Sequence, residues 1–381
     1  MTQGANRLKT VEEYYFSKKM REIHLLMASG KPILNLGVGS PDLQPPQKVI
    51  SALTESLDDP KAHKYQSYQG IPELREAIAS FYKEHFQVHL SPKTEILPLI
   101  GSKEGIMHIS MAYLNEGDKV LVPNPGYPTY SAVTKLMGAH PVYYDLNAEN
   151  NWIPDIMALE RSDLSQVKIM WINYPHMPTG AKADHKFLSD IVAFAGRNDI
   201  LLINDNPYSF ILNEFPRSIL QINGAKENCL ELNSLSKTFN MAGWRIGMLM
   251  GSAKHISNVL KVKSNMDSGM FYGLQKGASE ALNCSKLWYL SLNSVYEQRR
   301  ALIWDLATSL NCTFDEQASG LFVWAKLPEY VNSDEFSELL LKKHHIFVAP
   351  GHIFGSNGEG YVRFSLCVST EDIEEAKLRV K

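Results

Sequence analysis

Asn233-Ser234-Leu235-Ser236-Lys237-Thr238-Phe239-Asn240-Met241-Ala242-Gly243-Trp244-Arg245-Ile246-Gly247 is the stretch on which the reading of this chain turns. It closes one apolar run, residues 229–233, and opens another, residues 246–250, so it connects two candidate strands. A lone lysine in a polar loop is ordinarily a solvated charge, since lysine is seldom buried. Here Ser234 and Ser236 precede Lys237, and Arg245 follows eight residues on. An amine nucleophile beside an anion site suits a carbonyl compound that carries a phosphate. Lys237 would form the Schiff base, while Ser234, Ser236 and Arg245 would hold the phosphate.

Outward from this stretch, short apolar runs bounded by turn residues recur at 95–100, 119–123, 141–145, 168–173 and 200–205. With 229–233 and 246–250 they make seven candidate strands, and helical patterns fill several gaps. That alternation predicts a mostly parallel sheet with helices on both faces. Pro72 suits a first helical position, with Leu74, Ile78 and Phe81 on one face. Further helices are expected over 102–114 and 184–197. Beyond Gly251 the texture changes to a long helical stretch, 274–310, then strands at 320–327 and 361–366 and a closing helix, 371–381. This remainder reads as a smaller α+β domain.

A chain of 381 residues is long enough for two domains, or one large domain with a satellite. Hydrophobic content of 44% with 21% charged residues places it among globular proteins and leaves room for disorder only at the ends. The net charge of -3, without a basic run, gives no reason to expect binding to nucleic acid or an anionic membrane, so small molecules are the expected partners. Cys229, Cys284, Cys312 and Cys367 show no paired spacing, which argues against a zinc site or disulfide framework and for a reducing cytoplasm. Residues 1–19 hold no apolar core segment and no later run is long enough to span a bilayer, so neither signal peptide nor anchor is expected.

Ligands of open α/β sheets collect at the carboxyl ends of strands. After the run 95–100 comes Gly101-Ser102-Lys103, where a helix N-terminus would meet an anion, although it is neither a GxGxxG fingerprint nor a P-loop. Tyr127, in Pro125-Gly126-Tyr127-Pro128-Thr129-Tyr130, offers a plane for a flat ring, or alternatively packs in a tight turn. Asp205 ends an apolar strand, where a carboxylate is tolerated only if a cation or several donors meet it. A protonated pyridine nitrogen is such a cation. It would make the ring an electron sink, with Tyr208 on its phenolic oxygen and Lys237 moving the substrate Cα proton.

The ordered set resembles the class I/II pyridoxal-phosphate-dependent aminotransferases of fold type I, over nearly the whole chain. The resemblance implies a large domain with a mostly parallel seven-stranded sheet sandwiched by helices, and a smaller α+β domain built from both chain ends. The expected division is an arm and part of the small domain at 1–45, the cofactor domain at 46–280 and the small domain at 281–381. It also assigns roles. Gly101, Ser102 and Lys103 match the phosphate cup, Tyr127 the stacking aromatic, Asp205 and Tyr208 the ring's partners, Lys237 the Schiff-base lysine and Arg245 the phosphate arginine. Gly37, in the segment 35–42, matches the substrate-side glycine segment, and Arg363 the arginine that grips the substrate α-carboxylate in a bidentate pair. Tyr65 matches the tyrosine that reaches the neighbouring site of a homodimer.

One position departs from the family. An asparagine usually stands immediately before Pro-Thr-Gly, donating to the phenolic oxygen and steadying the substrate carboxylate, but Asn173-Tyr174-Pro175-His176-Met177-Pro178-Thr179-Gly180 has Met177 there. Asn173 or His176 reaches in instead, or Tyr208 acts alone, or the chemistry differs. The leading expectation is ping-pong transamination between an L-amino acid and a 2-oxo acid. The alternatives are a lyase or synthase on an amino-acid derivative, such as a C–S β-lyase, and a cofactor-binding regulator, which the absence of a DNA-reading module disfavours. Tyr14, Tyr15 and Phe16 either line a pocket for neutral or aromatic side chains or pack against the small domain, the latter weighing more.

Overall fold

The computed structural model describes residues 2–381. After a two-residue strand, β1 (Leu34–Asn35), the chain lays down β2 (Ile96–Leu99), β3 (Lys119–Asn124), β4 (His140–Asp145), β5 (Val167–Ile172), β6 (Leu201–Asp205), β7 (Cys229–Ser234) and β8 (Gly247–Gly251). These last seven coincide, within a residue or two at each end, with the seven apolar runs. They form one sheet in the order β2-β8-β7-β6-β5-β3-β4, parallel except for β8, which runs against both neighbours. Near-continuous burial along β2, β3, β5, β6 and β7 explains their unbroken apolar character, because helices cover both faces.

The helices start where the sequence gives them an acceptor or a preset φ. Pro72–Phe86 opens on proline, and His185–Arg197 is capped by the Asp184 carboxylate, which accepts from the Phe187 N–H at 2.7 Å. The long pattern over 274–310 is two helices, Tyr272–Leu282 and Lys286–Ser309. Asn283 and Cys284 turn their side chains back onto the Ser279 and Glu280 carbonyls, satisfying the end of the first helix and breaking the continuity.

The rest of the chain makes β9 (Thr313–Phe314), β10 (Phe322–Lys326), β11 (Ile346–Phe347), β12 (Ala349–Pro350) and β13 (Tyr361–Ser365). β12-β13-β10-β9 is an antiparallel sheet, and β11 pairs with β1, so both ends of the chain build this part. Arg299 locks the union: Nη1 and Nη2 each lie 2.7 Å from an oxygen of Asp42, and Nη1 also donates to the Leu366 carbonyl. Each sheet has its own apolar core, with Trp171, Tyr82 and Phe194 in the large part and Tyr296, Trp324 and Phe364 in the small one.

Every β-strand end that the sequence marked for chemistry reaches one edge of the large sheet. Ser234 pairs with Gly247, Leu99 also pairs with Gly247, and Asp205 pairs with Leu232. The close approach at Gly247 is obligatory, since a Cβ there would sit 2.7 Å from the Ser102 nitrogen and 2.8 Å from the Gly101 carbonyl carbon, both backbone atoms. Gly247→Ala should therefore lower stability by about 1–3 kcal/mol, seen as a lower urea midpoint with an unchanged m-value.

Candidate active site

A cavity of about 280 Å³ opens at that edge, between the large sheet and the small one. Its floor is Asp205, buried at the end of β6. Oδ2 accepts from the Tyr130 hydroxyl at 2.8 Å, while Oδ1 is buried without a partner. Burial pushes the carboxyl up to about 6, and the Tyr130 hydrogen bond offsets part of that. An unpaired, desolvated carboxylate oxygen is what a protonated ring nitrogen would satisfy.

Lys237 enters from the short helix Leu235–Thr238 that follows β7, and its Nζ donates to the Gly39 carbonyl at 2.5 Å. Burial lowers its pKa, and Arg363 and Arg245 push it further in the same direction. A lowered pKa makes the amine a readier nucleophile and proton carrier. Asp205 and Lys237 line the same cavity, as does Tyr208, whose hydroxyl is free of hydrogen bonds among the described residues.

Ser102, Lys103, Ser234, Ser236 and Arg245 gather at the other end. Ser102 is the first residue of the helix Ser102–Tyr113, which follows Gly101 at φ +90°. A Cβ at Gly101 would fall 2.4 Å from Arg245 Nη2, so the guanidinium is seated against bare glycine backbone. Helix N–H groups, hydroxyls and a guanidinium in one place form an anion cradle. The Ser234 hydroxyl is partly spent, accepting from the Ser236 N–H at 2.9 Å, and Ser102 donates to the Asn233 carbonyl at 3.0 Å. Lys103 Nζ lies 4.4 Å from the centre of the Tyr14 ring, and its pKa is lowered by burial and by Arg245.

Arg363, on β13, is 4% exposed and has no acidic partner among the described residues. Nη2 donates to the Gly37 carbonyl at 2.9 Å, Nη1 to the Met177 thioether at 3.2 Å, and Nε is unpartnered. The rings of Phe322, Phe354 and Phe16 surround its Cζ at 3.9, 4.6 and 5.4 Å. Burial brings this guanidinium down to about 10, still charged at neutral pH. A buried cation without an anion is a receptor for one.

Tyr127 lines the cavity edge-on to Tyr130 at 5.5 Å. Asn173 also lines it, with its amide tied to backbone at each end: Nδ2 donates to the Asp205 carbonyl and Oδ1 accepts from the Met177 N–H at 2.8 Å. Tyr65 lies outside this cavity and is 91% exposed. Of the three arm aromatics, Tyr14 and Phe16 line the cavity, whereas Tyr15 packs against the cluster of Ile23, Leu341 and Phe347. Sequence reasoning missed Tyr130, although it stands three residues after Tyr127 on the helix Pro128–Leu136, and missed the ring cage around Arg363. Glu104, His108 and Asp267 also converge, but Lys263 meets Asp267 at 2.8 Å and supplies the cation there.

The donor set fits pyridoxal 5'-phosphate: an open carboxylate oxygen for the ring nitrogen, a free hydroxyl for its oxygen, an amine for its aldehyde and a cradle for its phosphate. The family model for aminotransferase class I and II matches residues 31–380. LL-diaminopimelate aminotransferase of Dehalococcoides mccartyi is 40% identical over 97% of this chain and 96% of its own length, and that of Aquifex aeolicus is 39% identical over 100% and 99%. The substrate-bound BacF structure from Bacillus subtilis superposes with a TM-score of 0.96 at 36% identity, covering 100% of this chain and 97% of that one. The aromatic aminotransferase of Pyrococcus horikoshii gives 0.89 at 29% identity, covering 98% and 96%. With its sheet, its lysine and its buried carboxylate in these relations, the chain belongs to the class I and II aminotransferases, enzymes that use pyridoxal phosphate to transfer an amino group.

Proposed function

We propose that Lys237 anchors the cofactor and carries the substrate Cα proton, that Asp205 and Tyr208 hold the ring, and that Arg363 seats the α-carboxylate of an L-amino acid. The unpaired Oδ1 of Asp205, facing the same cavity as Lys237, carries this reading. When bound, pyridoxal phosphate supplies the electron sink for the carbanion left at Cα. Lys237 Nζ, with its lowered pKa, would take the proton from the substrate Cα and hold it for return. Gly101, Ser102, Lys103, Ser234, Ser236 and Arg245 grip the phosphate, and Gly37 orients Arg363 through its carbonyl.

LL-diaminopimelate, named for the relatives, is the first donor to test. A second reading, a neutral or aromatic donor, is favoured by the wall of Tyr14, Phe16 and Phe322. Mixing loaded enzyme with single amino acids, without an acceptor, should convert the visible band of the cofactor to its amine form for true donors only. Ammonia released without an acceptor would instead point to a lyase.

Protein stripped of cofactor should show the cost of Asp205. Its carboxyl sits at about 6 against an ordinary 3.8, so as pH rises through that window the unfolded chain ionises first and the native state loses stability. The loss should be on the order of 3 kcal/mol, complete above about pH 6, and absent in Asp205→Asn. Thermal melts at a series of pH values measure it.

The working unit is a homodimer in the cytoplasm. Tyr65 is almost fully exposed, and its loop lies against Gly269, with Tyr68, Met266 and Phe271 exposed nearby. In the dimer Tyr65 reaches the partner's phosphate. Tyr65→Phe should keep the dimer by light scattering and weaken cofactor binding roughly tenfold. A fully active monomer at low concentration would refute the arrangement.

A further inference from the structure

At the loop position where the family carries a second donor to the cofactor's phenolic oxygen, this chain carries Met177. Asn173 is bonded at both ends of its amide to backbone. His176 Nδ1 lies 2.8 Å from the Thr179 hydroxyl, outside the cavity, and burial holds the ring at about 3, so it stays neutral. Met177 does line the cavity, buried at 6% exposure, but a thioether has no proton to give. Tyr208, across the cavity, has a hydroxyl with no hydrogen-bond partner among the described residues.

We propose that Met177 is a positioning residue for the transamination site, one that leaves Tyr208 the sole side-chain donor to the phenolic oxygen and gives Arg363 a thioether as neighbour. The proposal rests on the assignment of Lys237, Asp205 and Tyr208 made above. Two consequences follow from elementary chemistry. A thioether is a weak acceptor, so Arg363 Nη1 and the unpartnered Nε remain available to an arriving carboxylate. When bound, the cofactor would present a negatively charged phenolic oxygen, and the donors around that oxygen would set how firmly the Lys237 nitrogen keeps its proton. Each added donor stabilises that negative charge and loosens the proton. With Tyr208 alone, the proton is held to higher pH.

The charged and titratable groups that face Lys237 and Tyr208 are Asp205, Arg245, Arg363, Tyr127 and Cys367; of these Arg363 alone touches Met177, and Met177→Leu, which removes the same thioether without adding a donor, controls for that contact. The test is a spectrophotometric pH titration of the visible band in the loaded enzyme. Met177→Asn should lower the midpoint by about one pH unit, Met177→Leu should leave it in place, and Tyr208→Phe should raise it. An unchanged midpoint in Met177→Asn, or an equal shift in Met177→Leu, overturns the proposal. Should the asparagine variant not fold, Met177→Gln, which also brings an amide donor, takes its place: a lowered midpoint supports the proposal and an unchanged one overturns it. Failure of the underlying assignment looks different: wild type would show no visible band, or Lys237→Ala would keep it.

Discussion

A carboxylate ends an apolar strand with one oxygen bonded to Tyr130 and the other left open, and the rest of the site is arranged around that imbalance. Burying an ionised group without a partner is among the costliest things a fold can do. Arg363 is its counterpart, a guanidinium enclosed by three aromatic rings with no acid in reach. Two opposite charges facing one cavity would neutralise each other if the chain let them meet. They are kept apart because Asp205 belongs to the large sheet and Arg363 to the small one. A cationic nitrogen at one end and an anionic carboxylate at the other, brought by one ligand or by two, would satisfy both.

That imbalance requires a rigid frame. Asp205 holds its place through the register of β6 against β7 and through the Asn173 amide, which ties the Asp205 carbonyl to the Met177 N–H. Arg363 is fixed by pairing with Trp324 and Ala349 on either side and by the Gly37 carbonyl. The Asp42–Arg299 pair anchors the far end of the Gly37 segment. Strain of this kind persists where the surroundings over-determine it, and here two separate apolar cores do so.

Much of this was legible in the sequence. The seven strands stood out because buried parallel strands are apolar throughout and are punctuated by glycine, proline and aspartate. Residues at strand ends were legible because topology brings all such ends to one edge. The break at Asn283-Cys284-Ser285 was not, since both helices share one apolar periodicity and the interruption comes from side chains bonding backwards. Tyr130 was missed because its partner, Asp205, is 75 residues distant and no spacing rule links them. The alternatives at Asn173 and His176 could not be separated either. Which way an amide or imidazole points is decided by backbone groups that only the folded loop supplies.

The antiparallel strand β8 shows how a small topological choice produces the anion cradle. Were it parallel, Arg245 would lie at the amino-terminal edge of the sheet, far from Lys237. Because β8 runs against both β2 and β7, its first residue, Gly247, sits opposite Leu99 on one side and Ser234 on the other. The residues just before it therefore reach the same edge as Gly101-Ser102 and Ser234–Lys237. Arg245 takes a left-handed conformation, φ +57°, and places its guanidinium where a side chain on Gly101 would be. Three pieces of chain more than 130 residues apart at the extremes, from Ser102 to Asn233, thus share one cradle. The glycines at 101 and 247 follow from that convergence: the cradle closes only where two backbones touch without side chains between them.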